Sequence, residues 1–158
     1  MSAYPQSIPQ APARAAEKPL PPGIRIANAG GQGKLIMIVD DDEGVRLIVE
    51  AILAKEGYRV VSAESGEQAL EYIGKLGNRV DLVFLDFVMT GMHCAWTQHG
   101  LRKAVPGLPI IIISGYTANS TLEKLVNDTG SGFVPKPLAR EKLLQGIRGS
   151  LGEVPGRR

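Results

Sequence analysis

Acidic residues, a serine and a lysine follow directly on short apolar segments of this sequence. The residues are Asp40-Asp41-Asp42-Glu43, Asp86, Ser114 and Lys136. Carboxylates brought close together repel one another, and burying them without a partner is unfavourable. A hard divalent cation such as Mg²⁺ relieves this repulsion, because it binds a few carboxylates while keeping several water molecules. The acidic residues therefore predict a magnesium site if the fold brings them together.

Asp86 is also a candidate nucleophile. A carboxylate can attack phosphorus and become an aspartyl phosphate. Mg²⁺, an ammonium and a hydroxyl are the groups that stabilise the charge on a transferred phosphoryl group. Ser114 and Lys136 would supply the last two, so the set fits phosphoryl transfer onto Asp86.

The elements that must position these residues alternate regularly from Lys34 onward. Short apolar runs predict five strands, at Leu35–Val39, Tyr58–Ser62, Val80–Leu85, Pro109–Ile113 and Gly132–Val134. Helical periodicity predicts five helices between and after them, around Val45–Leu53, Ser65–Leu76, Cys94–Val105, Ala118–Asn127 and Arg140–Leu151. Buried strands separated by helices predict an α/β fold with a parallel sheet covered on both faces.

Ligands of such sheets bind at the carboxyl ends of the strands, near the point where the strand order reverses. If the strands lie in the order 2-1-3-4-5, the first, third, fourth and fifth strands meet around one pocket. The acids, the hydroxyl and the lysine would then converge there.

Composition excludes several other classes of protein. The chain has 158 residues, enough for about one domain, with 18 Lys and Arg against 16 Asp and Glu. This balanced charge gives no indication of nucleic-acid binding. With Cys94 as the single cysteine, no internal disulfide and no cysteine-based zinc site is expected. Without a long apolar stretch or a signal peptide, we expect a cytoplasmic protein that does not bind membranes.

The segment 1–33 differs from the rest of the chain. It contains six of the 11 prolines, and it buries too little apolar surface to offset chain entropy, so it is predicted to be disordered. Its Gly30–Lys34 end lacks the spacing of a phosphate-binding loop and is interpreted as a linker. Residues 34–151 are predicted to form the domain, and residues 152–158 a flexible tail. We expect no room for an output domain, so that signals would leave through protein contact or onward phosphotransfer.

Four stretches together resemble the receiver domains of bacterial two-component response regulators, over about Lys34–Leu151. They are Ile38-Val39-Asp40-Asp41-Asp42, Leu85-Asp86-Phe87-Val88-Met89, Ile113-Ser114-Gly115-Tyr116 and Val134-Pro135-Lys136-Pro137. The resemblance implies a flavodoxin-like, doubly wound sheet of five parallel strands in the order 2-1-3-4-5 with five helices.

The resemblance also implies roles for individual residues. Asp86 would be the phosphoacceptor, supplied by a sensor histidine kinase or a histidine phosphotransfer protein. Asp40, Asp41, Asp86 and the backbone carbonyl of Val88 would hold Mg²⁺. Lys136 would pair with Asp86 or its phosphate, and the Lys136–Pro137 bond is expected to be cis.

Ser114 would be the switch hydroxyl, and Phe133 would be the aromatic ring that turns inward when that hydroxyl contacts phosphate. Tyr116 would shape access to the pocket. A downstream protein would read the face built by the fourth helix, fifth strand and fifth helix (α4-β5-α5). The sequence departs from the family pattern after Met89, where Thr90 and His93-Cys94 replace the usual residues. The start of the third helix is therefore left open.

Other readings remain open beside this one. Asp42 is predicted to be a helix N-cap and Glu43 a solvated side chain. Cys94 is interpreted as a small buried residue and His93 and His99 as surface residues. The chain could be a receiver that only binds partners without phosphorylation. It could also be a phosphohydrolase of the haloacid-dehalogenase kind with an aspartyl nucleophile, although Val88 stands where that family needs an acid. In the favoured reading the protein is not an enzyme.

Overall fold

The computed structural model of the protein describes residues 19–31, 33–88, 94–115, 120–129 and 131–152. The predictions for Tyr116, for the loop from Thr90 to His93 and for the tail beyond Gly152 lie outside the described residues.

Six strands of the described residues form one sheet in the order β1-β3-β2-β4-β5-β6. The strands are β1 (Ile26–Ala27), β2 (Leu35–Val39), β3 (Arg59–Ala63), β4 (Leu82–Asp86), β5 (Ile110–Ser114) and β6 (Gly132–Pro135). Strands β2 to β6 are parallel to one another, and β1 is antiparallel to β3. The five parallel strands confirm the predicted fold class and the predicted order 2-1-3-4-5.

Within the described ranges, five helices cover both faces of this sheet. They are α1 (Glu43–Lys55), α2 (Gly66–Leu76), α3 (Cys94–Ala104), α4 (Ser120–Thr129) and α5 (Arg140–Leu151). Apolar side chains of α2, α3 and α4 pack in one core, and those of α1 and α5 pack in the other. Because β2, β4 and β5 lie between these two layers, every residue of the three strands is buried. None of the described helices is long and apolar enough to cross a membrane.

Local sequence signals explain where the helices begin and end. The side chain of Asp42 accepts hydrogen bonds from the backbone N–H groups of Gly44 and Val45, which confirms the predicted N-cap of α1. Ser65 caps α2 in the same way, through the N–H of Gln68. Gly57, which has a φ of +92°, turns the chain after α1.

The sixth strand corrects the prediction that the whole segment 1–33 is disordered. Residues Ile26 and Ala27 pair with β3, and the side chains of Ile24 and Ile26 are each only 8% exposed. The amide of Asn28 donates a hydrogen bond of 3.1 Å to the carbonyl oxygen of Tyr58. This segment is ordered because it pairs with a strand that is distant in sequence. Composition and periodicity carry no information about such pairing.

The predicted bounds of β2 match the structure, and those of the other parallel strands differ from it by one or two residues. The difference matters at two positions, because Asp86 and Ser114 are the last residues of β4 and β5 and do not follow them. The ladder pairs Asp86 with Ile113, one residue before Ser114. The backbone of both residues is therefore held by strand pairing.

Candidate functional site

Four strands bring the predicted site residues together at the carboxyl ends of the parallel sheet. Asp40 and Asp41 follow β2, Asp86 ends β4, and Lys136 follows β6. The backbone N–H of Lys136 donates a hydrogen bond of 2.8 Å to the carbonyl oxygen of Ser114, so the lysine is held beside the end of β5. The convergence predicted for the carboxyl ends of the strands is present in the structure.

Two buried carboxylates share one ammonium group at the centre of the site. The Nζ atom of Lys136 lies 3.2 Å from Oδ2 of Asp40 and 3.4 Å from Oδ1 of Asp86. Asp40 is completely buried and Asp86 is 3% exposed. The N–H of Asp42 donates to Oδ1 of Asp40, and the more distant N–H of Val88 donates to Oδ1 of Asp86 at 3.4 Å. The backbone thus fixes one oxygen of each carboxylate.

These surroundings alter the proton affinities of the two charged partners. Burial, and after it the negative charge of Asp40, raises the pKa of Asp86 from 3.8 to about 6, although Lys136 and the N–H of Val88 oppose the rise. Burial acts to lower the pKa of Lys136, but the charges of Asp86 and Asp40 outweigh it and raise that pKa. The ammonium is therefore held in its charged form, while Asp86 is a weakened acid.

Carboxylate oxygens of Asp40, Asp41 and Asp86 lie within 4.8 Å of one another and could hold a metal ion. Oxygen ligands of this kind suit a hard cation such as Mg²⁺. The buried Oδ2 atom of Asp40 faces the ammonium of Lys136 at 3.2 Å. Three carboxylates facing one ammonium leave about two negative charges when ionised, so the residues present fit a divalent cation.

Sequence comparison decides the family. A family model described as "Response regulator receiver domain" matches residues 36–148. The chain belongs to this receiver family. Its place is thus in two-component signal transduction, as the resemblance of the four motifs predicted.

Known proteins similar to this receiver include a kinase, a transcriptional regulator and a receiver of known structure. Sensor kinase CckA of Brucella abortus is 34% identical over 113 residues, which cover 72% of this chain and 12% of that protein. Transcriptional regulatory protein GlrR of Escherichia coli is 34% identical over 119 residues, which cover 73% of this chain and 26% of that protein. A CheY-like receiver domain protein from Methanospirillum hungatei gives a TM-score of 0.69 at 28% identity, covering 77% of this chain and 95% of that one. The receiver therefore spans about a quarter or less of these two curated relatives.

Other predicted site residues of the receiver occupy varied positions. Val88 follows β4 with its side chain 54% exposed. Phe133 lies in β6, opposite Ile112, and its half-buried ring packs against the core under α2, α3 and α4. Ser114 is buried at the end of β5. The Lys136–Pro137 peptide bond is cis, as the resemblance implied.

Two residues near the site were not singled out for a role there by the sequence. The guanidinium of Arg46 donates a hydrogen bond of 2.7 Å to the carbonyl oxygen of Asp40, which supports the loop that carries the acids. Burial raises the pKa of the Cys94 thiol to about 12, and the charge of Asp86 adds to the rise. Cys94 is 3% exposed, so its interpretation as a small buried residue is confirmed. No spacing rule marks Arg46, because its role depends on where α1 begins.

Proposed function

We propose that this receiver accepts a phosphoryl group on Asp86 from a phosphohistidine of a sensor histidine kinase or a histidine phosphotransfer protein. The observation that carries the proposal is the pair of buried carboxylates, Asp40 and Asp86, that share the ammonium of Lys136. A purely structural ion pair would need one carboxylate. The second carboxylate leaves an excess of negative charge that favours a bound cation.

The transfer balances in bonds and charges. An Oδ atom of Asp86 attacks phosphorus, the phosphorus–oxygen bond forms, and the phosphorus–nitrogen bond of the donor breaks. The bond pair returns to the histidine nitrogen. Lys136 lies within 3.4 Å of the attacking carboxylate and would pair with the phosphoryl oxygens. Mg²⁺ held by Asp40, Asp41, Asp86 and the carbonyl of Val88 would supply further positive charge for these oxygens.

Phosphorylation would act on the rest of the receiver through charge. The phosphoryl group adds about −1.5 to −2 charge and new hydrogen-bond acceptors. Ser114, at the end of the neighbouring strand, is the hydroxyl proposed to contact it, and Phe133 is the ring proposed to reorient. This would shift an existing equilibrium at the face formed by α4, β6 and α5, where we propose that a downstream protein binds. Asp86 is an acceptor in this scheme, and the receiver is not proposed to turn over a substrate.

Labelling tests the phosphoacceptor directly. The receiver is incubated with Mg²⁺ and either acetyl phosphate or a phosphorylated kinase, and incorporation is measured by mass spectrometry. We expect one hydroxylamine-sensitive phosphoryl group, as for an acyl phosphate. Asp86→Asn should abolish it, while the control Asp42→Asn should retain it, because asparagine also caps a helix. Equal labelling of Asp86→Asn and the wild type would refute the assignment, and no labelling of the wild type would favour a receiver that only binds partners.

A further inference from the structure

Strand β6 lies at the edge of the sheet, and half of its backbone groups face away from β5. The N–H of Lys136 donates to the carbonyl oxygen of Ser114. Backbone direction alternates along a strand, so Gly132, Val134 and Lys136 face β5. The N–H and carbonyl groups of Phe133 therefore point to the open edge, and Pro135 offers a carbonyl there but no N–H. The edge can accept a short added strand around Phe133.

A groove of about 870 Å³ lies beside this edge, lined by β6, by α5 and, near the start of β6, by Arg102 and residues 107–110. The helix runs antiparallel to the strand. A Cβ atom placed on Gly146 would lie 3.4 Å from Val134, and one placed on Gly132 would lie 3.7 Å from the hydroxyl of Ser150. Strand-plus-helix grooves of this form are where extended peptides add to a sheet.

The helix leaves room for backbone in this groove. Gly149 lines it, and a Cβ atom placed there would meet nothing within 4 Å. Gly146, one turn earlier, lets α5 approach Ile111 closely, since a Cβ atom there would lie 3.0 Å from that side chain. The floor is therefore packed while the part near Gly149 stays open.

Both charged residues among the described groove-lining residues are cations, Arg102 and Lys142. Arg102 donates to the hydroxyl of Ser131 at 3.4 Å, just before β6 begins. Lys142 lies one turn before Gly146, and the antiparallel course of α5 puts it near the end of β6. The four residues of β6 extend about 13 Å, so the groove has a positive charge at each end of a short strand.

We propose that the groove between β6 and α5 binds an extended, acidic segment of a partner protein, which adds to the sheet beside Phe133 and places one carboxylate near Arg102 and another near Lys142. The proposal rests on the proposed signalling function only in assigning this segment to the protein that reads the receiver. Backbone hydrogen bonds would give affinity, and the two end charges would select the sequence and its position.

A labelled, capped peptide Asp-Val-Thr-Val-Asp tests this inference by fluorescence anisotropy. Its two carboxylates are about 13 Å apart when the peptide is extended, which matches the length of β6. We expect saturable binding, with amide shifts of Gly132 and Phe133 in NMR spectra. The same peptide with Asn in place of both Asp residues should bind more weakly. An equal affinity of the two peptides would overturn the charge assignment.

Backbone methylation separates strand addition from attraction by charge alone. One analogue carries N-methyl groups at positions 1, 3 and 5, and the other carries them at positions 2 and 4. Only one of these sets faces β6 in an added strand. We therefore expect one analogue to lose binding and the other to keep it. If both analogues bind like the parent, the peptide is held as a simple polyanion and strand addition is refuted. If neither binds, it is refuted as well, because only one set should contact β6.

Matched variants locate the bound peptide on the receiver. Lys142→Glu should weaken binding about three- to tenfold, while Lys55→Glu, the same change on exposed α1, should leave it unchanged. Gly149→Leu should fill the groove and abolish binding, and Gly74→Leu on α2, where a Cβ atom also meets nothing within 4 Å, should not. Equal effects within either pair would overturn the proposed site.

The same proteins are labelled with acetyl phosphate as an independent measurement. Labelling on Asp86 without peptide binding would refute the groove proposal alone. Peptide binding without labelling would refute the phosphoacceptor proposal alone.

Discussion

At the scale of single residues, Asp86 lowers the stability of the receiver near neutral pH. Its pKa is raised from 3.8 to about 6, so its contribution to stability is present below pH 3.8 and is lost as the pH rises through about 6. The difference corresponds to about 3 kcal/mol. Without Mg²⁺, Asp86→Asn should therefore be more stable than the wild type at pH 7.5 by up to this amount.

Urea unfolding at several pH values measures this difference. The advantage of Asp86→Asn should shrink steadily between pH 7 and pH 4, because the wild-type carboxyl becomes protonated. A constant difference between Asp86→Asn and the wild type would contradict a raised pKa as its cause.

Lys136 is the residue that holds the two buried carboxylates together. Its Nζ atom is within 3.4 Å of both, and its charge lowers the pKa of Asp86. Lys136→Met should therefore move the titration of Asp86 to a pH above 6, whereas Lys136→Arg keeps a cation and should move it less. Carbon-detected NMR of the aspartate carboxyl groups follows this titration. An unchanged midpoint in Lys136→Met would show that the ammonium does not govern the proton affinity of Asp86.

At the scale of elements, β1 is expected to be part of the folded unit. Ile24 and Ile26 are each 8% exposed and belong to the core beneath α2 and α3. The substitution Ile26→Ala alone should lower the free energy of unfolding by about 2–4 kcal/mol. Removing residues 1–33 should lower it by at least as much. Removing residues 1–18, which the sequence predicts to be disordered, should have little effect. Two truncated proteins of equal stability would show that β1 contributes nothing.

Strand β1, which the sequence does not predict, shows what limits prediction at this scale. The parallel strands and helices carry apolar runs or helical periodicity, so the sequence places them to within a few residues; α5 is predicted with the bounds it has. Ile26–Ala27 is too short to show a period and lies among prolines and glycines. It pairs with Val60 and Val61, which lie more than 30 residues away in sequence. Only the folded chain shows that this edge of β3 is covered.

The candidate site was more predictable than its surroundings. Strand-end positions follow from the strand pattern, and a parallel sheet brings those ends together, which is why Asp40, Asp86 and Lys136 could be grouped from sequence. The ion-pair distances, the weakened acidity of Asp86 and the support from Arg46 depend on rotamers and burial. These properties arise from packing across the sheet and have no local sequence signal.

At the scale of the whole molecule, the acidic site couples ion binding to stability. The chain carries a net charge of +2, yet Asp40, Asp41 and Asp86 concentrate negative charge at the carboxyl ends of the strands. Folding brings these carboxylates together against their mutual repulsion, whereas in the unfolded chain they stay apart. A cation that binds the folded receiver therefore offsets a cost that exists only in the folded state.

Mg²⁺ should accordingly stabilise the receiver in a concentration-dependent way at pH 7.5. Above the dissociation constant, each tenfold rise in Mg²⁺ should add about 1.4 kcal/mol to the free energy of unfolding. Asp41→Asn should shift this dependence to higher Mg²⁺ concentrations, and Asp42→Asn should leave it where it is. Below about pH 6, protonation of Asp86 should reduce the effect. NaCl at equal ionic strength is the control. An equal response to NaCl would mean that screening stabilises the receiver and that the three carboxylates bind no specific cation.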